Sequence, residues 1–437
     1  MMQIKIKKIN RISGEFTVPA DKSVSQRAII LSAVATGTTI IDNFLKSDDT
    51  QRTIAAFQAM KIPIKIKRIN NRIRVTVKGK GLTGLKVPAT DLFMGNSGTT
   101  MRLITGMLAA QNFKTKLTGD YSLSRRPMQR IVNPLKKMGA NIQGKFKFGQ
   151  IYPPLVIQGK KLKAINYRLP VKSAQVKSSI LLAGLYANGK TAVKEILKTR
   201  DHTERMLKLF KAEILIQGLK IKISGGRELI SPKKMFIPGD LSSAAFFMVA
   251  AAIIPGSKLI IRDVGLNPTR IGVIKLLKKM GANIKIIKKN AHLKAYEPYA
   301  DIIIKSSNLK GITIREKEVA FCIDELPIIC VAACLATGRT KILRADELRI
   351  KETDRIFSMV SNLKKMGADI RNQGNDLIIK GKSELTGAIV DSFGDHRTAM
   401  CMAIAGLKAS GETIIKNTDC INKSFPNFLE ILRLIQN

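Results

Sequence analysis

Strict alternation of apolar and basic residues marks several stretches of this chain, as in residues 64–77 (IKIKRINNRIRVTV), and predicts hairpins with one face turned to a core. Two other patterns lie between them. One places apolar residues three and four apart after a polar loop, as in DDTQRTIAAF from Asp48, and predicts an amphipathic helix. The other is apolar almost throughout: residues 25–35, 99–110, 178–187, 242–252, 326–336 and 397–407 each predict a buried helix. None of these runs is long enough to span a bilayer.

These patterns repeat in a fixed order. Residues 135–142 and 277–284 both read LKKMGANI, and residues 363–370 read LKKMGADI, while FQAMKIPI (57–64) and LKLFKAEI (207–214) are degraded copies. The spacing gives a period of roughly 70 to 85 residues. Each copy follows a Gly, a β-rich run and a polar loop leading into a helix, and is followed by alternating strands. The unit therefore reads as strand, basic loop, helix closed by a glycine, hairpin, and apolar helix. Six such units fit the 437 residues. Two groups of three, each a bundle of helices wrapped by sheets, bury twelve helices better than a solenoid would. The expected division is a domain of residues 21–238 and a second of residues 1–20 plus 239–437, with Pro238-Gly239 at a crossing point.

Composition narrows the function classes. An apolar share of 45% with 24% charged residues fits a packed globular protein. The formal charge of +43 raises nucleic acid as a partner, but the lysines are spread along the chain in Ile/Lys/Asn-rich runs, a bias that an AT-rich genome also produces. The basic loops recur at one place in each unit, with Arg52, Arg126, Arg130, Arg200, Arg205, Arg270, Lys351, Arg355 and Lys423 among them. Loops so arranged would line a cleft with cations and take a small, strongly anionic ligand. Five cysteines without a CxxC pair, and an N-terminus without an apolar signal core, point to buried thiols in a reduced, cytoplasmic protein.

Four loop-to-helix junctions in the first half carry anion-binding chemistry. DKSVSQRA (21–28) sets Lys22, Ser23 and Arg27 at a helix start, where free amides and cations favour an anion. LFMGNSGTTMR (92–102) is a Gly-bearing turn without Walker A spacing, SRRP (124–127) pairs two arginines, and VKSAQVKSS (171–179) presents Ser173 and Gln175. In the second half DELP (324–327), RIKETDR (349–355), GDHR (394–397) and KSFP (423–426) interleave carboxylates with cations. Phosphate and carboxylate need cations, and proton transfer needs one carboxylate to accept and one acid to give. Taken alone, DKSVSQRA reads more readily as a capped surface helix and each second-half loop as a surface ion pair, while LFMGNSGTTMR reads as readily as a plain loop-to-helix cap.

Together with GDLSSAAFF (239–247), these motifs in their order resemble those of the 5-enolpyruvylshikimate-3-phosphate synthases over essentially the whole chain. The resemblance implies an α+β (α/β) architecture, a two-domain inverted α/β barrel of six pseudo-equivalent units, three per domain, with the active site in the interdomain cleft. It implies a cofactor-free, metal-free transfer of the enolpyruvyl group of phosphoenolpyruvate to the 5-hydroxyl of shikimate 3-phosphate, in the shikimate pathway to chorismate and the aromatic amino acids. By the same resemblance, shikimate 3-phosphate is held at Lys22, Ser23, Arg27, Ser173, Ala174, Gln175, Asp324 and Lys351, and phosphoenolpyruvate at Lys22, Gly98, Arg126, Gln175, Arg355, Arg397 and Lys423. Asp324 is expected to take the hydroxyl proton and Glu352 to protonate C3, with Lys22 or Lys423 assisting phosphate departure. His396 is expected to be structural. Ala174 stands where many relatives have serine, so only its backbone can contact substrate. Arg200, in a region that varies between subgroups, is expected to meet the shikimate phosphate. Gly98 is intact where the family's glyphosate response is set, which implies sensitivity.

Two rival readings are weaker. A UDP-N-acetylglucosamine enolpyruvyl transferase would share the phosphoenolpyruvate half but carry a reactive cysteine near residues 110–130, where none occurs. An RNA-binding protein would need aromatic platforms beside its basic loops; with no Trp and 5% aromatics these are scarce. A monomer acting on small molecules, away from membrane and nucleic acid, is the expectation.

Overall fold

The computed structural model describes residues 2–70, 72–289 and 296–436. Two compact units divide them: a first of residues 20–237 with Tyr296 and Glu297, and a second of residues 2–19, 238–289 and 298–436.

The six apolar patterns form the helices Lys22–Val34, Gly98–Leu108, Ala174–Gly184, Leu241–Ile253, Leu326–Cys334 and His396–Gly406. The first three build the core of the first unit and the last three that of the second. Every residue of Leu241–Ile253 is buried, as an all-round apolar helix must be. Amphipathic helices Asp48–Ala59, Gln129–Lys137, His202–Leu209, Gly272–Lys279, Arg355–Lys365 and Phe428–Leu434 alternate with them.

The sheets repeat one strand order. In the first unit Leu92–Phe93 runs parallel to Lys114–Thr118, which pairs antiparallel with Gln150–Gln158, and that in turn with Asn141–Lys147. Asn166–Arg168, Lys190–Lys194, Lys220–Ser224 and Ile214–Gln217 follow the same order. In the second unit so do Thr313–Ile314, Arg339–Ile342, Asp376–Lys380 and Asp369–Gln373. In each case the parallel pair flanks an apolar helix, because parallel strands need a crossover connection.

The remaining sheets reach the same order by borrowing strands from far along the chain. Ala35–Asp42 takes Lys234–Phe236 as its parallel neighbour, and Lys258–Gly265 takes Ser13–Thr17. Each of these short strands thus stays in its own unit on the far side of a chain crossing. The crossings fall at Pro19/Ala20 and Ile237/Pro238. The last sheet is completed by the N-terminal strand Ile4–Lys7, antiparallel to Glu412–Lys416.

The repeated octamer ends five of the six amphipathic helices, all but Phe428–Leu434. Gly139, Gly281 and Gly367 follow the C-cap at φ of 96°, 95° and 78°. That left-handed backbone is open to glycine without a steric cost. In the degraded copies Lys61 and Lys211 occupy the same place at φ of 65° and 62°. The fold holds the turn there against the preference of the residue.

Candidate active site

In the first unit, three apolar helices begin with a side-chain cap. Asp21, Ser97 and Ser173 accept from the backbone N–H of Val24, Thr100 and Val176. The residues expected to bind anions stand around these helix starts. Lys22 lies 3.1 Å from Asp49. Arg27 is buried and donates to Thr203 Oγ1 (2.7 Å), the Ser23 carbonyl (3.0 Å) and Ser178 Oγ (3.2 Å). Burial pulls its guanidinium down to about 10, with Asp21 and Glu204 opposing, so it stays charged at neutral pH. Ala174 is the first residue of its helix and offers only its backbone and a methyl group.

A second cationic group surrounds Gly98. Gln175 donates to Thr99 Oγ1 at 3.0 Å and accepts from Arg102 Nη1 at 2.5 Å. Arg126 donates to Asn96 Oδ1 (2.8 Å) and Ser122 Oγ (3.2 Å). A methyl at Gly98 would stand 3.4 Å from both Arg102 Nη1 and Arg126 Nη1, in contact with the two guanidinium groups. Burial, then the charges of Arg130 and Arg126, lower Arg102 to about 10. Among the described residues none of Arg102, Arg126 and Arg130 forms an ion pair with a carboxylate. Like charges so gathered store repulsion that an anion relieves.

In the second unit the centre is Arg355, the first residue of its helix. Its side chain is 1% exposed and meets three carboxylates: Asp395 through Nε (2.6 Å), Glu352 through Nη2 (2.5 Å) and Asp324 through Nη1 (3.3 Å). Burial works against its charge, but Glu352, Asp395 and Asp324 outweigh that and keep it firmly protonated. Asp395, fully buried, also caps the helix His396–Gly406 by accepting from the Arg397 N–H at 2.8 Å. Arg397 Nη1 then donates to the Asp324 carbonyl at 2.9 Å. DELP, RIKETDR and GDHR therefore meet at one guanidinium. Asp324 and Glu352, the expected proton carriers, are two of its three partners.

Other predicted residues fall differently. Arg270 is buried against Asp240 (3.1 Å), Ser242 (2.5 Å) and Glu325 (3.6 Å), so it is a structural ion pair rather than a lining cation. Arg205 pairs with Asp201 at 2.9 Å and Arg52 stacks over Phe93 at 4.9 Å. Lys351 is half-buried and Glu352 exposed on the loop before Arg355. His396 Nδ1 lies 3.7 Å from Asp395 with its side chain 12% exposed. The backbone of Lys423 ends the turn Thr418–Lys423, and its side chain lies outside the described residues. Arg102 and Asp395 also belong to these clusters; both lie inside the motifs, which by themselves assign them no role. Arg102 closes the Gly98 motif one helical turn on, and Asp395 sits at a cap position, the two signals that could have marked them.

Comparison with known proteins identifies the family. The family model for EPSP synthase (3-phosphoshikimate 1-carboxyvinyltransferase) matches residues 6–432. A 3-phosphoshikimate 1-carboxyvinyltransferase of Geotalea uraniireducens is 47% identical over 437 residues, covering 100% of this chain and 99% of the relative. One from Syntrophomonas wolfei is 48% identical over 425 residues, 97% of each. A solved EPSP synthase from Acinetobacter baumannii superposes with a TM-score of 0.89 at 46% identity, covering 99% of this chain and 98% of that one.

Proposed function

The chain belongs to the EPSP synthase (3-phosphoshikimate 1-carboxyvinyltransferase) family, and from that premise we propose how its residues carry out the transfer. The fold is the two-domain α/β fold of that family, and the activity is that of a transferase of the shikimate pathway in aromatic amino acid biosynthesis. Shikimate 3-phosphate is bound by Lys22, Ser23, Arg27, Ser173, the Ala174 backbone, Gln175, Arg200, Asp324 and Lys351. Phosphoenolpyruvate is bound by Lys22, Gly98, Arg126, Gln175, Arg355, Arg397 and Lys423. Both ligands are multiply anionic, and guanidinium forks suit their phosphate and carboxylate groups.

The 5-hydroxyl oxygen of shikimate 3-phosphate attacks C2 of phosphoenolpyruvate as Asp324 takes its proton and Glu352 delivers a proton to C3, making a methyl group. The tetrahedral intermediate then loses phosphate from C2 and a proton from C3, restoring the double bond. Lys22 or Lys423 steadies the departing phosphate. The observation that carries this reading is the single guanidinium of Arg355 holding both Asp324 and Glu352. One fixed cation keeps base and acid within the span of one substrate. We also assign the chain a monomeric, cytoplasmic state. For the compartment, the support is that the five cysteines are free and buried, as thiols in a reducing environment are.

The test is phosphate release by the purified protein with phosphoenolpyruvate and either shikimate 3-phosphate or UDP-N-acetylglucosamine. Release only with shikimate 3-phosphate is expected, and release only with the nucleotide sugar would overturn the acceptor.

A further inference from the structure

The first unit contains a charged group that the reaction does not use. Lys177, in the helix Ala174–Gly184, is completely buried, with its ammonium 2.9 Å from Glu195 and 2.6 Å from Glu204, both also completely buried. Burial pushes the Glu204 carboxyl up while Lys177 draws it back, so the ammonium is what makes two enclosed carboxylates tolerable. A packed apolar trio would stabilise such a place at least as well. The position of the three residues in the chain gives the charge another use.

Glu195 follows the strand Lys190–Lys194, and Glu204 lies in the first turn of the helix His202–Leu209. Between them runs the loop that carries Arg200. Glu195 also accepts from the Thr199 N–H (3.0 Å) and from the Thr199 hydroxyl, directly before Arg200. Next to Glu204, Thr203 accepts from Arg27 Nε (2.7 Å) and shares a hydrogen bond with Ser178 (2.7 Å), the neighbour of Lys177. Arg200 in turn is close enough for its charge to oppose that of Arg27.

We propose that Lys177 is a positioning residue for shikimate 3-phosphate: by clamping Glu195 and Glu204 it pins both ends of the 195–204 loop to the helix bearing Ser173 and Gln175, and so holds Arg200 beside Arg27. The proposal rests on the assignment of this cluster to shikimate 3-phosphate. The phosphoenolpyruvate residues Gly98 and Arg126 lie outside the 195–204 loop, and Gln175, which serves both substrates, keeps its own bonds to Thr99 and Arg102. A buried pair kept only for stability would affect both substrates alike.

The experiment is steady-state kinetics of Lys177→Met with each substrate varied, alongside thermal unfolding. The KM for shikimate 3-phosphate should rise about tenfold or more, the equivalent of one charge-assisted contact, while that for phosphoenolpyruvate stays within about twofold. The double variant Lys177→Met/Glu204→Gln should regain part of the thermal stability, because one of the two uncompensated carboxylates is gone, yet keep the raised KM, because the clamp is gone too. Recovery of KM together with stability, or an equal rise for both substrates, would make the group merely structural and overturn the proposal. Should Lys177→Met not fold, Glu195→Ala decides: it releases the Thr199 N–H and hydroxyl together while Lys177 keeps Glu204 as its partner, and an unchanged KM for shikimate 3-phosphate would overturn the proposal. Wild-type protein inactive with shikimate 3-phosphate would remove the substrate assignment itself, a failure distinct from that of the clamp.

Discussion

Arg355→Lys keeps the charge at the centre of the second unit and removes its shape. The arginine donates at once to Asp395 (2.6 Å), Glu352 (2.5 Å) and Asp324 (3.3 Å). A lysine nitrogen, on a shorter reach and without the planar fork, can meet one of the three well. The retained charge spares Asp395 the penalty of about 3–5 kcal/mol that follows when a buried partner is left alone. Two charge-assisted bonds are still lost, each about 1.5–3 kcal/mol when buried. Glu352 is 36% exposed, so water replaces most of its share and its loss weighs no more than about 1 kcal/mol. The expected fall in unfolding free energy is therefore about 2–4 kcal/mol. Catalysis should fall further in proportion, because Asp324 and Glu352 lose the group that fixes their separation; kcat/KM for phosphoenolpyruvate should drop about 10²- to 10³-fold. Urea unfolding and phosphate release measured on the same preparation report both quantities. A variant with an unchanged urea midpoint and kcat/KM within about threefold of wild type would refute the reasoning.

Three further outcomes are expected. Glu352→Gln keeps a hydrogen bond to Arg355 but has no proton to give, so kcat should fall about 100-fold; near-normal turnover would take Glu352 out of the proton transfer. Lys211→Gly, at φ 62°, should stabilise by about 0.5–1 kcal/mol, since relief of the left-handed strain exceeds the added chain entropy, and a lowered Tm would contradict that. Burial works to raise the Asp301 pKa, but bonds from Lys289, the Asp263 N–H and Arg262 outweigh it and bring it below the ordinary 3.8. A lowered acid contributes stability above its unfolded pKa and loses it as pH falls through the folded one. Asp301→Asn should therefore lower the urea midpoint at pH 7 and leave it unchanged near pH 2; an equal loss at both would point to packing instead.

Many of these features are legible in the residues alone, for identifiable reasons. The apolar runs predict helices within a few residues of Lys22–Val34, Leu241–Ile253 and their counterparts, because a helix buried on every side must be apolar on every side. The LKKMGANI copies mark the helix ends because a left-handed turn selects glycine, and even the lysine-bearing copies keep the turn. The motifs mark the clusters because helix starts and cation-rich loops are local features.

What the sequence could not separate was one arginine from another. Arg126 and Arg270 occupy comparable loops, yet among the described residues Arg126 has only uncharged partners whereas Arg270 is buried against Glu325, far along the chain. Nor did it show that DELP, RIKETDR and GDHR meet at Arg355, or that Lys177 joins the two ends of the Arg200 loop. Period, propensity and capping depend on residues a few positions apart, so the sequence by itself determined the repeat, its elements and the chemical kind of ligand. Charge pairing depends on distances of a few ångströms between residues remote along the chain, and burial decides how much each pair is worth. Which cations pair with buried carboxylates and which, among the described residues, have no acidic partner was therefore decided only by the tertiary structure.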